Sequence, residues 1–210
     1  MRTKEFASIG RQLAANLDGF VSWRDLLILT PVRHVLRAIC FDRSIDSRSF
    51  YLEAFFQPLY VPKDYMAFTL GRRLRRKGRQ SWDADAPELV EDTLAAFRSQ
   101  ALPFLGAKTD GDNKVNRMVL KEAWGSPNQN ACEAAAYTLV RMGRIPEAVE
   151  TIDKLLEMLR DTVPWHQEMR KRVTLVKADL DKGLDAAMER LNGWEAETIR
   201  NLKLEPFIER

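Results

Sequence analysis

The order of apolar and polar positions divides the chain into two regimes. Over residues 3–17 the apolar positions Phe6, Ile9, Leu13 and Leu17 recur at spacings of three and four, and Phe20 follows in line. That spacing predicts a helix with one buried face, which Thr3 can cap at its start and Gly19 at its end. From Trp23 the period drops to two and β-branched and aromatic residues become dense, predicting strands over 26–30, 35–41, 50–57 and 65–74. Pro31, Pro58 and Pro62 fall where turns are needed, because proline cannot donate to a central ladder. The product is an antiparallel meander. If Arg37 faces Glu53 across the central pair, one sheet face carries Leu36, Ala38, Cys40, Phe50, Leu52, Ala54 and Phe56 and meets the core. The other is mixed, and either the chain's own helices or a partner covers it.

Past residue 80 the period is helical. Asp85 and Glu88 have capping-box spacing, Val90, Leu94, Phe97 and Ala101 form a stripe, and Pro103 and Gly106 end it. Residues 115–124 make one further short helix and 125–128 a break. Four helices follow, over 129–142, 146–159, 164–181 and 184–202, with stripes such as Ile145, Val149, Ile152, Leu156 and Trp165, Met169, Val173, Val176. Short connections at Gly143 and Gly183 force antiparallel neighbours. The expected class is α+β: an N-terminal helix plus antiparallel β-meander over 1–106, a connecting segment 107–128, and C-terminal antiparallel helical hairpins over 129–210.

Composition changes this picture little. With 45% hydrophobic and 30% charged residues, the chain resembles neither a disordered tail nor a membrane bundle. Cys40 and Cys132 each sit in apolar surroundings without a partner at metal-ligand or redox spacing, so both are expected as buried, reduced thiols. That usage, together with a start that lacks a continuous apolar core, points to the cytoplasm and to no membrane partner.

Charge is informative in one place. Residues 72–79 carry six basic groups, Arg72, Arg73, Arg75, Arg76, Lys77 and Arg79, and without them acids would outnumber bases. Such a run can neutralise phosphates and makes these six the candidates for binding a polyanion. The favoured alternative is a solvated strand end whose charge is cancelled by Asp83, Asp85, Glu88, Glu91 and Asp92 folding back. Trp82 is the one nearby ring able to stack on a base. Elsewhere no phosphate-cradling glycine loop, nucleophile elbow or histidine pair occurs, and His34 and His166 read as structural or surface groups. No enzyme, cofactor or metal is expected.

Over 132–159, the small residues Ala135 and Ala136, the turn residue Gly143, Glu147-Ala148 opening a second helix, and the inward-facing Ile152 and Leu155 resemble one tetratricopeptide-type helical hairpin. The resemblance implies a concave surface for another protein, lined in the first helix by Asn130, Glu133, Tyr137 and Arg141. Residues 1–106, with Pro58-Leu59-Tyr60-Val61-Pro62 closing the meander, are loosely similar to bacterial domain-of-unknown-function families. That likeness implies an accessory protein of the immunity or antitoxin kind. The function expected is a non-enzymatic protein-binding module, an adaptor, immunity-type protein or accessory subunit, with nucleic-acid association through 72–79 as the alternative.

Overall fold

Helix α1 (Thr3–Ala14) begins where the three-four spacing predicts but ends three residues before Leu17, so Gly19 does not cap it; it turns Phe6 and Leu13 inward, both fully buried. The computed structural model describes residues 3–46, 48–76, 78–109 and 111–209, with side chains from Phe6 onward, so the cap expected at Thr3 lies outside the described side chains. Gly10 sets the approach of α1 to the sheet: a Cβ there would stand 2.7 Å from the Ser22 hydroxyl. The chain forms two compact units, Met1–Gln57 with Gly71–Asp110 and Pro206–Arg210, and Pro58–Leu70 with Gly111–Glu205.

The first unit is built on a sheet of β1 (Phe20–Trp23), β2 (Leu26–Leu29), β3 (Val35–Arg43), β4 (Ser49–Pro58) and β5 (Leu70–Arg73), neighbours in that order, with β6 (Ser81–Asp83) also paired to β4. The antiparallel meander is as expected; β1 and β6 are additions. A two-residue turn joins β1 to β2, with Arg24 in the left-handed region and its guanidinium 4.1 Å from the Trp23 ring centroid. In place of the long strand expected over 65–74, only Leu70–Arg73 is extended.

The assignment of sheet faces needs correction. Phe6 meets Phe41 and Phe50 at 5.6 Å each, Phe56 meets Phe104 at 5.0 Å, and Arg37 Nη1 donates to the Gly106 carbonyl at 3.0 Å. Arg37 and Phe41 therefore share a face with Phe50 and Phe56, and Glu53 lies on the opposite side, accepting from Arg73 Nε at 3.3 Å. A one-residue change of register exchanges the faces of a strand. Both faces of β3 are largely buried, so alternation alone does not fix which is which.

The helix expected from Asp85 begins later. Helix α2 (Leu89–Ala96) has no side-chain cap at Glu88, and the Asp85 N–H donates to Asp83 Oδ1 at 3.0 Å instead. A π turn at Phe97–Ala101 leads into α3 (Leu102–Leu105), so Pro103 lies inside the helical run rather than ending it. A π turn loosens the local hydrogen-bond ladder in which proline cannot take part. Gly106 closes the run in the left-handed conformation, and Arg37 reaches the terminal carbonyls of Leu105, Gly106 and Thr109. The last residues return to this unit: Val32 donates to the Phe207 carbonyl, Glu209 donates to the Val32 carbonyl, and Arg33 pairs with Glu209.

The second unit is helical. Helix α4 (Asp112–Trp124) is the short helix expected over 115–124, begun three residues earlier within the connecting segment, and packs against α5 (Gln129–Arg141), whose first turn is capped by Asn128 Oδ1 accepting from the Ala131 N–H at 2.9 Å. Helices α6 (Ile145–Met158), α7 (Pro164–Lys182) and α8 (Leu184–Leu202) begin and end within one residue of their predicted bounds. Alanines 134–136 are buried along α5, letting α4, α6 and α8 all approach it. Residues 58–70 contribute the buried side chains Leu59, Tyr60 and Val61. Among the described residues no helix is long and apolar enough to cross a membrane.

Candidate functional site

The α5 face expected to meet a partner is instead occupied by the chain itself. Glu133 and Tyr137 are fully buried, and the Arg141 side chain is 5% exposed. Arg172 on α7 grips Glu133 with both arms, Nε to Oε1 at 3.0 Å and Nη2 to Oε2 at 3.2 Å, and the Tyr137 hydroxyl adds a third donor at 3.2 Å. The Tyr137 ring lies 5.7 Å from Trp194 on α8, and burial beside Glu133 pushes its hydroxyl pKa well up. Arg141 Nη1 reaches Glu195 at 3.0 Å and Asn192 at 3.1 Å, with its guanidinium 4.9 Å from the Tyr60 ring centroid. The Thr138 hydroxyl donates to the Ala134 carbonyl, so the Tyr60 hydroxyl, 2.7 Å away, is the donor in their contact. Three of the four candidates thus tie α5 to α7 and α8, because a charged face at the centre of a helical unit must find charged neighbours within it. Asn130, half-buried at the head of α5, stays near the surface.

The basic segment is likewise largely engaged. Arg72 lies 4.0 Å from the Phe104 ring centroid; Arg73 lies 4.2 Å from the Tyr51 ring and pairs with Glu53 and Asp42; Arg76 bonds Asp92 and lies 3.7 Å from Glu88. Glu88 and Asp92 are two of the acids expected to fold back. The Arg75 backbone is fixed by Gln100 on both its N–H and its carbonyl, and Arg76 and Arg79 exchange backbone bonds beside left-handed Gly78. Arg75 and Arg79 are exposed, and Lys77 lies outside the described residues. Arg48, Arg76 and Arg79 line a 650 Å³ cleft together with Asp46 and Asp83, which is a mixed rather than a cationic lining. Trp82 is fully buried, pairs with Phe50 in the sheet and donates from Nε1 to the Leu74 carbonyl, so it cannot stack on a base.

His166 and the two cysteines also fall into structural places. His166 Nδ1 accepts from the Arg160 N–H at 2.8 Å. Cys40 is buried, and its thiol pKa is pushed up by desolvation and by Asp25, Asp42 and Glu53. Cys132 is half-exposed rather than buried, its Sγ 3.7 Å from the Thr151 carbonyl.

The surface feature that sequence reasoning missed is a 600 Å³ groove of the helical unit, lined by Pro62, Lys63, Asp64 and Tyr65, by Asn130, by Trp165, Glu168, Met169 and Arg172 of α7, and by Glu197 and Asn201 of α8. Tyr65 is 57% and Trp165 48% exposed, a large apolar area to leave in water at one place. Trp165 belongs to the stripe that continues through Met169, Val173 and Val176, all buried, which is why the spacing reads it as core; it overhangs at the first turn of α7, beyond the packed part. Tyr65 sits in a segment expected as strand. The groove floor is held by Lys63 Nζ donating to Asn130 Oδ1 at 3.1 Å and by the Arg172–Glu133 pair.

The chain matches no protein-family model, no curated protein and no solved structure.

Proposed function

We propose that this chain is a non-enzymatic protein-binding module that captures its partner in the groove between residues 62–65 and helices α7 and α8. The observation that carries this reading is the pair of exposed rings, Tyr65 and Trp165, set in one concavity with carboxylates and amides around them. Tyrosine and tryptophan are the side chains enriched where interfaces concentrate their energy. Adaptor, immunity-type protein and accessory subunit all fall within this reading, as does the tetratricopeptide-like hairpin of α5 and α6, which contributes Asn130 to the groove. The nucleic-acid alternative is weaker, because Arg72, Arg73 and Arg76 already have intramolecular partners.

A photo-crosslinking amino acid placed at Tyr65 in the living host tests the reading, with the same group at Leu175, an exposed apolar position of α7 outside the groove lining, as control. A discrete protein adduct from position 65 and none from 175 is the expected result. Equal adducts from both positions, or none from 65, would remove the groove as the site.

A further inference from the structure

Of the groove's two cations, Arg172 is matched by a buried carboxylate and Lys63 is not, and among the described residues two of its three carboxylates are in no ion pair. Lys63 donates to Asn130 and lies 5.6 Å from the Tyr65 ring centroid; Arg172 is held by both oxygens of buried Glu133. Among the described residues neither Asp64 nor Glu197 takes part in an ion pair, and both are exposed. Glu168 pairs only with Lys171 three residues on, with both side chains more than 60% exposed, an arrangement in which a surface pair contributes little. Three carboxylates therefore line the groove together with two exposed aromatic rings, against the single uncompensated cation Lys63.

We propose that the groove takes an extended partner segment presenting an arginine or lysine side chain, an assignment that rests on the protein-binding reading above. A guanidinium or ammonium laid over an indole or phenol face is attracted by the ring's quadrupole, and a nearby carboxylate adds charge-assisted hydrogen bonds. Trp165 supplies the face, since Lys63 already stands 5.6 Å from the Tyr65 ring centroid; Asp64, Glu168 and Glu197 supply the carboxylates. The amides of Asn130 and Asn201 stand where a segment's backbone needs donors and acceptors. An acidic segment would meet three like charges with only Lys63 to offset them.

The test is a library of random heptapeptides displayed on phage and selected on the immobilised full chain. Peptides recovered by the wild type should be enriched in arginine or lysine and depleted in aspartate and glutamate. Trp165→Ala should lower recovery at least tenfold, and Asp64→Lys combined with Glu197→Lys should turn the selected sequences acidic. All three positions are exposed, and circular dichroism with an unchanged melting temperature verifies that each variant is folded. Peptides without a basic preference that still need Trp165 would overturn the cationic assignment and leave the groove standing. Basic peptides recovered equally well by Trp165→Ala would overturn its placement. If the wild type recovers no peptide at all, the cationic assignment and the groove reading fall together.

Discussion

The two arginine-bearing regions that stand out in the sequence, residues 72–79 and the α5 face from Asn130 to Arg141, both find intramolecular partners, and the environments of those partners differ sharply. Glu133 is fully buried between Arg172 and Tyr137, whereas Arg73 and Arg76 pair with acids that keep some access to water, Glu53 at 13% and Asp92 at 26% exposed. A pair shut away from water fixes which helices meet, and removing one member strands the other. A pair that keeps some access to water is screened and contributes less. Of the two regions only Asn130 reaches the proposed groove, where it lies with Tyr65 and Trp165.

The largest effect expected from this contrast is at Glu133. Glu133→Ala leaves the Arg172 guanidinium and the Tyr137 hydroxyl aimed at an empty buried position and should destabilise the fold by about 3–5 kcal/mol, the range for breaking a buried pair. Urea denaturation measures this, and a loss below about 1 kcal/mol, the surface-pair range, would show that the pair is effectively solvated. Next comes Tyr60→Phe, which removes the donor to Thr138 Oγ1 without opening a cavity and should cost about 1 kcal/mol.

Asp179, near the end of α7, sharpens the contrast through pH. Arg190 and Lys182 hold its carboxyl below the ordinary range. A depressed folded-state pKa stabilises above the unfolded value, about 3.9, and that contribution is lost as pH falls through the folded value. The stability advantage of wild type over Asp179→Asn should therefore be complete at neutral pH and shrink below about pH 4; an advantage that grows on acidification would contradict the pairing. The smallest effect is at the sheet, where Arg73→Ala and Arg76→Ala, whose partners Glu53 and Asp92 are partly buried, should each cost at most about 1 kcal/mol, the top of the surface-pair range. A cost of several kcal/mol there would erase the distinction between the two regions.

Much of the fold was legible because period carries it. The helices from α5 onward announce themselves by stripes and by turn glycines, Gly143 with φ of 69° among them, and the meander by its dense β-branched and aromatic residues. Strands β1 and β6 were not, since four and three residues are too short for a period to register, and the turn at Arg24 lacks the usual glycine or asparagine. Sheet parity was not legible either: Ile39 and Cys40 are both buried, so the pattern reads equally well in either register. The site failed for a different reason. Glu133, Tyr137 and Arg141 have the spacing of an open helix face, and only the tertiary arrangement brings Arg172, Glu195 and Trp194 over them. Conversely Trp165 has the spacing of core and lies beyond it.

Two double variants, measured side by side for urea midpoint and for retention of a basic heptapeptide selected on the wild type, test the central claim most directly. Tyr65→Ala with Trp165→Ala should shift the midpoint little and abolish retention, since both residues are about half exposed. Tyr137→Ala with Arg141→Ala should lower stability by more than about 3 kcal/mol, the scale for emptying a buried aromatic site. The opposite pattern, with the Tyr65 and Trp165 pair destabilising while the Tyr137 and Arg141 pair abolishes binding in a stable protein, would return the recognition surface to α5 and contradict the account.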